Sequence, residues 1–116
     1  MNVWVLGINQ QAPVSIRESM AIPKERIISH IKTALMFIDV LEMVYLTTCN
    51  RTEVYLHTVD DVVFDHALLA ALGLASDHFS NYGYRYKDEE AVQHIMKVAS
   101  GLDSMVVGEP QVLGQL

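Results

Sequence analysis

Near the middle of the chain the sequence reads Leu46-Thr-Thr-Cys-Asn-Arg-Thr-Glu-Val-Tyr55. An apolar run from Leu41 to Leu46 leads into this segment, and an alternating run from Glu53 to Val59 leads out of it. Two β-type runs joined by a few small polar residues are typical of a hairpin. The pattern therefore predicts two neighbouring antiparallel strands with a short polar corner between them.

The one cysteine of the chain, Cys49, stands at this corner. A lone cysteine is commonly a small buried hydrophobe, but its neighbours Thr48, Asn50 and Arg51 do not resemble core residues. At a corner the thiol is within reach of backbone amides and solvent, and the charge of Arg51 favours the thiolate. Local chemistry leaves two interpretations open, a reactive thiol and an inert one.

The rest of the chain predicts the element order β-α-β-β-α-β-α. Its signals are a buried first strand, a capping box, a helix-opening proline, an aspartate pair before a helix, a stop glycine, an aromatic strand and a last capping aspartate. In chain order these are Val3–Ile8, Ser15-x-x-Glu18, Pro23, Asp60-Asp61, Gly73, Tyr82–Tyr86 and Asp88. Without its last helix this order is the split β-α-β arrangement of ferredoxin-like domains. The predicted fold class is therefore α+β, an antiparallel sheet with helices on one face plus a C-terminal helix.

The length and composition of the chain limit its domain organisation and its class of protein. At 116 residues and 51% hydrophobic, the chain predicts a single domain, 1–116. Its net charge of −6 argues against a general nucleic-acid-coating surface, though not against local contact with one RNA end.

No run approaches the roughly 20 apolar residues of a membrane span. One cysteine and no signal-like start predict a cytoplasmic protein. The sequence of 111–116 resembles the first turns of a helix and suggests a piece of a longer protein.

Two common kinds of ligand site have no sequence signal here. No Gly-x-Gly-x-x-Gly follows a predicted strand, and there is no phosphate-loop Gly-Lys-Ser/Thr. The five histidines show no metal-like spacing with one another or with Cys49. The sequence thus predicts neither a nucleotide-binding loop nor a metal site.

The last predicted helix carries a histidine beside its apolar stripe, which consists of Ala91, Val92, Ile95, Val98, Ala99 and Leu102. His94 falls at the edge of that stripe, where it either reaches a cleft or forms a satisfied hydrogen bond at the boundary. After Gly101, polar Ser104, Glu109 and Gln111 stand in an apolar setting, where they need hydrogen-bond partners.

Two long motifs resemble the signatures of the glutamyl-tRNA reductase family. They are Leu46-Thr-Thr-Cys-Asn-Arg-Thr-Glu-Val-Tyr55 and Ala99-Ser-Gly-Leu-Asp-Ser-Met-Val-Val-Gly-Glu-Pro-Gln-Val-Leu-Gly-Gln115. The opening, Gly7-Ile-Asn and Ala12-Pro-Val-Ser-Ile-Arg-Glu18, is similar as well. One loop differs: the family usually has Asn-His-Lys-Thr-Ala-Pro where this chain has the shorter Asn9-Gln-Gln-Ala-Pro13.

The resemblance implies the first, catalytic domain of an enzyme of tetrapyrrole synthesis. That enzyme reduces the glutamyl group of glutamyl-tRNA to glutamate-1-semialdehyde with NADPH, which a domain absent from this chain would bind. It also implies a homodimer formed through another absent domain, and the aminomutase that acts next as a candidate partner.

By the same resemblance, Cys49 is the nucleophile that forms a thioester with the glutamyl group. Arg51 corresponds to the position that holds the carboxylate of the substrate side chain. Thr48, Ser104, Glu109 and Gln111 fall in the glutamate-binding surroundings. His94 corresponds to a histidine near the thiol, whose role as acid, base or structural partner stays open.

The alternative hypothesis is a non-catalytic ferredoxin-like binding or regulatory module with Cys49 buried and inert. The two hypotheses differ in the exposure and reactivity of the thiol.

Overall fold

A computed structural model describes residues 1–74 and 77–101. Within these residues the chain forms four strands and five helices. In chain order they are β1 (Val3–Ile8), α1 (Val14–Met20), α2 (Lys24–Ala34), β2 (Val40–Thr47), β3 (Thr52–Thr58), α3 (His66–Leu72), α4 (Asp77–Tyr82), β4 (Tyr84–Lys87) and α5 (Glu89–Ser100). The predictions for Ser104, Glu109, Gln111 and the helix turns at 111–116 lie outside the described residues.

The strands form one antiparallel sheet in the order β2-β3-β1-β4. This order places β1 between β3 and β4 and leaves β2 at one edge, which is the split β-α-β arrangement. The predicted fold class is therefore confirmed. Because β1 and β3 are the inner strands, side chains on either face of them can be fully buried.

Helices cover both faces of the sheet, and β1 supplies side chains to each. Trp4, Leu6 and Ile8 belong to a core shared with buried residues of α1, α2, α3 and α4. Val5 points to the opposite face, where it packs with Ala91 and Val98 of α5. The alternation follows from the two-residue period of a strand. The last helix thus encloses a second, smaller core with the sheet.

At three predicted helix starts the structure differs from the sequence prediction. The helix expected from Ser15 begins at Val14, after Pro13, and has no side-chain cap. The helix expected after Asp60-Asp61 begins at His66, and the carboxylate of Asp65 caps it by accepting from the amide of Leu68 at 2.9 Å. Gly73 ends that helix in the left-handed conformation, as predicted.

The third difference concerns Asp88, which does precede α5 but does not cap it. Its carboxylate accepts from the amide of Val3 at 3.0 Å, and its own amide donates to the carbonyl of Val3 at 2.7 Å. These two bonds extend the pairing of β1 with β4. Asp88 therefore connects the sheet to α5, the helix that carries His94.

The hairpin corner has a local explanation in the sequence. The amide of Thr48 donates to the carbonyl of Arg51 at 2.8 Å. The hydroxyl of Thr48 accepts from the amides of Asn50 at 3.2 Å and Arg51 at 3.3 Å. A threonine hydroxyl that bonds amides two and three residues on stabilises a tight turn. The predicted hairpin is confirmed, with Cys49 exposed at its corner.

Candidate functional site

The backbone at Cys49 is held by an arginine from α1. Arg17 Nη1 donates to the carbonyl oxygen of Cys49 at 3.2 Å and approaches Asn50 Oδ1 at 3.5 Å. Arg17 Nε donates to the carbonyl of Ala12 at 3.1 Å. One guanidinium thus ties the loop after β1 to the hairpin corner. The thiol is exposed while the backbone that carries it is fixed.

A buried carboxylate stands two residues beyond Arg51. Glu53 has no exposed surface, although a charged side chain is costly to bury unless it is paired and hydrogen-bonded. Its Oε1 accepts from Arg51 Nη1 at 3.3 Å and from the hydroxyl of Tyr55. Its Oε2 accepts from the hydroxyl of Tyr84 and from Nε2 of His94. Two donors on each oxygen satisfy the carboxylate, and we call these five residues the Glu53 cluster.

A glycine makes room for this cluster. Gly7 of β1 pairs with Glu53 on one side and with Tyr84 on the other. Side chains at paired positions point to the same face of a sheet. Because Gly7 has no side chain, the hydroxyl of Tyr84 can reach Glu53 across β1. A Cβ at Gly7 would lie 2.7 Å from Cγ of Glu53.

We expect Gly7→Ala to destabilise the domain by about 2–3 kcal/mol, because the added methyl would lie 2.4 Å from the backbone carbonyl oxygen of Thr52 and 2.7 Å from Cγ of Glu53. Urea unfolding followed by circular dichroism measures this loss. A variant that unfolds at the same urea concentration as the unchanged chain would contradict the role given to Gly7.

The donors around Glu53 keep it ionised. Burial by itself would raise the pKa of Glu53, but the hydrogen bond and the charge of His94, with the hydroxyls of Tyr55 and Tyr84, lower it below its usual range. Burial, together with the negative charge of Glu53, raises the pKa of Tyr55 and Tyr84 well above the usual value for tyrosine. Both phenols therefore stay protonated and serve as donors.

The lowered pKa of Glu53 makes stability depend on pH. In the unfolded chain this glutamate takes up its proton at about pH 4.3, whereas in the folded chain Glu53 takes it up only at lower pH. The stabilising contribution is therefore complete above that pH and is lost as the pH falls through the folded pKa. We expect the urea midpoint of the unchanged chain to fall more steeply over this acid range than that of Glu53→Gln. Parallel curves would contradict the assignment.

His94 is oriented by the same carboxylate. A carboxylate only accepts, so the proton of the imidazole must lie on Nε2, and Nδ1 is the nitrogen left to exchange a proton. The ring also lies against Tyr84 and Tyr86, with centroid distances of 5.4 and 5.0 Å. His94 is 8% exposed. The predicted apolar stripe is shifted: Ala91, His94 and Val98 are buried, whereas Val92 is 37% exposed.

Arg51 lies behind the corner, not on its surface. Only 1% of its surface is exposed. Besides the contact with Glu53, its Nη2 lies 3.4 Å from Oε1 of Gln10. Gln10 belongs to the shortened loop after β1, so the position that differs from the family pattern is in contact with the arginine.

The structure brings four predicted site residues into one region. Thr48 and Cys49 form the corner, and Arg51 and His94 meet through Glu53. The prediction missed Glu53, Tyr84 and Gln10. The sequence signal for Glu53 was its place on the same face of the predicted strand as Tyr55, whose hydroxyl can donate to a carboxylate.

Two kinds of feature are absent from the described part of the chain. Within residues 1–74 and 77–101, no group of three or more histidine, cysteine, aspartate or glutamate side chains could hold a metal ion. No helix in those same ranges is long and apolar enough to cross a membrane.

Fold and site together define an α+β domain of the split β-α-β class that carries an exposed thiol beside a buried charged cluster. The family model of the glutamyl-tRNAGlu reductase N-terminal domain matches residues 6–116. The chain therefore belongs to the family of glutamyl-tRNA reductase N-terminal domains.

Individual relatives agree with this assignment. Glutamyl-tRNA reductase of Xanthomonas campestris pv. campestris strain 8004 is 43% identical over 117 residues, which are 100% of this chain and 26% of that protein. The protein of the same name from Thermodesulfovibrio yellowstonii is 42% identical over 128 residues and is covered to 30%. The solved glutamyl-tRNA reductase from Methanopyrus kandleri matches 97% of this chain and 26% of its own, with a TM-score of 0.69 and 28% identity. The chain thus spans roughly a quarter of the length of these relatives.

The glycines of the described residues stand at helix ends and in strands. Rossmann-type dinucleotide sites use a glycine-rich turn between a strand and a helix. In residues 1–74 and 77–101 the glycines with positive φ are Gly73 and Gly101, which both follow helices.

Proposed function

We propose that this chain is the part of a glutamyl-tRNA reductase that takes the glutamyl group from glutamyl-tRNA. The observation that carries the proposal is the exposed thiol of Cys49 on a fixed corner, two residues from a buried arginine that is bound to a buried carboxylate. The exposure of Cys49 contradicts the buried thiol of the alternative binding module. Membership of the reductase family supplies the substrate class.

The proposed step is an acyl transfer. The thiolate sulfur of Cys49 attacks the ester carbonyl carbon, a carbon–sulfur bond forms, and the bond from that carbon to the terminal ribose oxygen breaks. The ribose oxygen takes up a proton and leaves with the tRNA. The products are a Cys49 thioester and deacylated tRNA. The aminoacyl ester is already activated, so a thiolate near neutral pH suffices as the nucleophile.

Arg51 is the proposed anchor for the side-chain carboxylate of the glutamyl group. A carboxylate is a stronger acceptor for a guanidinium than an amide oxygen. Arg51 Nη2 contacts the neutral amide oxygen of Gln10 at 3.4 Å, whereas Nη1 contacts the charged carboxylate of Glu53 at 3.3 Å. Binding of the substrate would therefore replace Gln10 at Nη2 and leave the contact with Glu53 in place. Thr48, Ser104, Glu109 and Gln111 remain proposed contacts of the same substrate.

His94 is the proposed proton carrier for this step. Since Glu53 holds Nε2, the exchange of a proton with the thiol or with the ribose oxygen would use Nδ1. Glu53 and Tyr84 would then act as positioning residues that fix the ring. Loss of either should change the rate of acyl transfer through the orientation of His94.

Other properties of the whole enzyme belong to the proposal as well. NADPH would reduce the thioester to glutamate-1-semialdehyde, and this chain would take no part in holding it. A homodimer, contact with the next aminomutase, a place in tetrapyrrole synthesis and a cytoplasmic location follow from the resemblance alone.

A comparison of aminoacyl-tRNAs tests the proposed function. We expect the chain to accelerate the deacylation of glutamyl-tRNA without NADPH, through a thioester that water then hydrolyses. The same tRNA charged with glutamine tests the carboxylate anchor, because the amide cannot form the charged pair with Arg51. A native chain that leaves the ester bond of glutamyl-tRNA at its spontaneous rate of hydrolysis would contradict the proposal.

A further inference from the structure

A cleft lined by residues of α1, α2 and α4 and by Gly73 lies apart from the Glu53 cluster. Its volume is about 320 Å³, within the range of small-ligand sites. The end of α1 and the start of α2 form one wall, from Ser19 to Pro23, with Arg26. His30, Gly73 and His78 form the other.

The cleft combines apolar walls with basic groups. Met20, Ile22 and Pro23 supply apolar surface, Arg26 supplies charged N–H donors, and His30 and His78 supply ring nitrogens. Glu18 and Glu25 lie on the same two helices, but neither lines the cleft. Arg26 is the one permanently charged residue among the described residues that line the cleft, so the cleft favours an anion over a cation.

His30 is fixed with one nitrogen available. Its Nδ1 lies 3.0 Å from the carbonyl oxygen of Ala71, which can only accept, so Nδ1 carries the proton. Its ring also stacks on Tyr45. Nε2 lies beside Gly73, where an added Cβ would come within 2.9 Å of it. The glycine therefore leaves this nitrogen uncovered on the wall of the cleft.

α1 connects the cleft with the corner that carries Cys49. Arg17 of this helix bonds the carbonyl of Cys49, and Ser19 and Met20 of the same helix line the cleft. The same short helix therefore contacts both the corner and the cleft.

We infer that this cleft is a subsite for a nucleotide of the single-stranded 3′ end of the tRNA, upstream of the esterified ribose. Arg26 binds its phosphate, Nε2 of His30 accepts from a ribose hydroxyl, and Met20, Ile22 and Pro23 contact its base. The inference rests on the proposed function, which brings the 3′ end to Cys49. It adds a phosphate contact away from the reacting atoms, which raises affinity for tRNA without taking part in the chemistry.

Arg26→Gln tests the subsite with two substrates in the intact protein. Arg26 is exposed, so the substitution should change the free energy of unfolding by less than about 0.5 kcal/mol. With glutamyl-tRNA we expect kcat/KM for deacylation to fall about tenfold, since a charge-assisted phosphate contact is lost. With 3′-O-glutamyl adenosine, which has no phosphate, kcat/KM should not change. Lys32→Gln is the matched control, an exposed cation of α2 that does not line the cleft.

Salt dependence adds a second readout. For single-stranded RNA each neutralised phosphate contributes about 0.7 to the slope of log affinity against log salt. Arg26→Gln should reduce the slope for glutamyl-tRNA by about this amount. An equal loss of kcat/KM with both substrates, or no loss with glutamyl-tRNA, would overturn the subsite.

Direct binding separates this inference from the proposed function. The uncharged trinucleotide CCA should shift the ring signals of His30 and His78 in NMR spectra, and adenosine should not. This result would support the subsite even if Cys49 accepted no glutamyl group. Absence of shifts with CCA would overturn it. Equal shifts with inorganic phosphate and with CCA would indicate a free-anion site and would also overturn it.

Discussion

Cys49→Ser is expected to lower the rate of glutamyl-tRNA deacylation on the order of 10³-fold or more, because a serine hydroxyl stays protonated at neutral pH and is a far weaker nucleophile than a thiolate. The side chains differ by one atom, and Cys49 is exposed. The free energy of unfolding should therefore change by less than about 0.5 kcal/mol. Rates are measured under single turnover, with urea unfolding of both proteins in parallel.

A neighbouring substitution provides the control. Asn50→Ser alters the same corner, where Asn50 contacts Arg17 at a long 3.5 Å, but it keeps the thiol. We expect this variant to retain the rate of the unchanged chain within a few fold. If Cys49→Ser retained the rate as well, the ester would be cleaved by some other group and the proposed nucleophile would be wrong.

Glu53→Gln should cost about 3–5 kcal/mol of unfolding free energy, the usual range when one partner of a buried ion pair is removed. The substitution leaves the guanidinium of Arg51 buried without its counter-charge. It also places an amide NH₂ among hydroxyl and N–H groups that were all donating to the carboxylate. Urea unfolding at neutral pH measures the effect.

Two variants separate the loss of the buried ion pair from the loss of a surface charge and from the loss of a single hydrogen bond. Glu42→Gln removes an exposed carboxylate from the neighbouring strand β2 and should change stability by less than about 0.5 kcal/mol. Tyr84→Phe removes one donor but keeps the ion pair, so it should cost about 1 kcal/mol. A Glu53→Gln variant as stable as Glu42→Gln would show that the buried carboxylate does not hold the cluster together.

The hairpin could be predicted because its determinants are local. Thr48 bonds the amides two and three residues further on, and the runs on either side have strand periodicity. The same holds for Gly73, since a glycine that ends an apolar helix is a short-range signal. The split β-α-β order followed from such local signals.

The Glu53 cluster could not be predicted in the same way. The carboxylate is acceptable in the core because Tyr84 and His94, 31 and 41 positions away, donate to it. Gly7 supplies the space from a third strand. Strand pairing brings Gly7 and Tyr84 to Glu53, and the packing of α5 on the sheet brings His94 to it. No local pattern around Glu53 contains this information.

The start of α3 shows how tertiary contacts choose between similar signals. Asp60, Asp61 and Asp65 all precede the same apolar run. Lys87 binds Asp61 at 2.9 Å, and Phe64 packs edge-on against Trp4 with ring centroids 5.0 Å apart. These contacts hold the segment before Asp65 outside the helix, so the helix begins later than its first aspartates indicate.

Intact-mass analysis after brief incubation with glutamyl-tRNA tests most directly whether Cys49 takes the glutamyl group. Without NADPH, we expect the chain to gain the mass of one glutamyl group. Peptide fragmentation should place this group on Cys49, and hydroxylamine should remove it as it removes a thioester. Cys49→Ser should gain nothing. A folded chain that remains unmodified, or one that carries the group at another residue, would contradict the proposed chemistry.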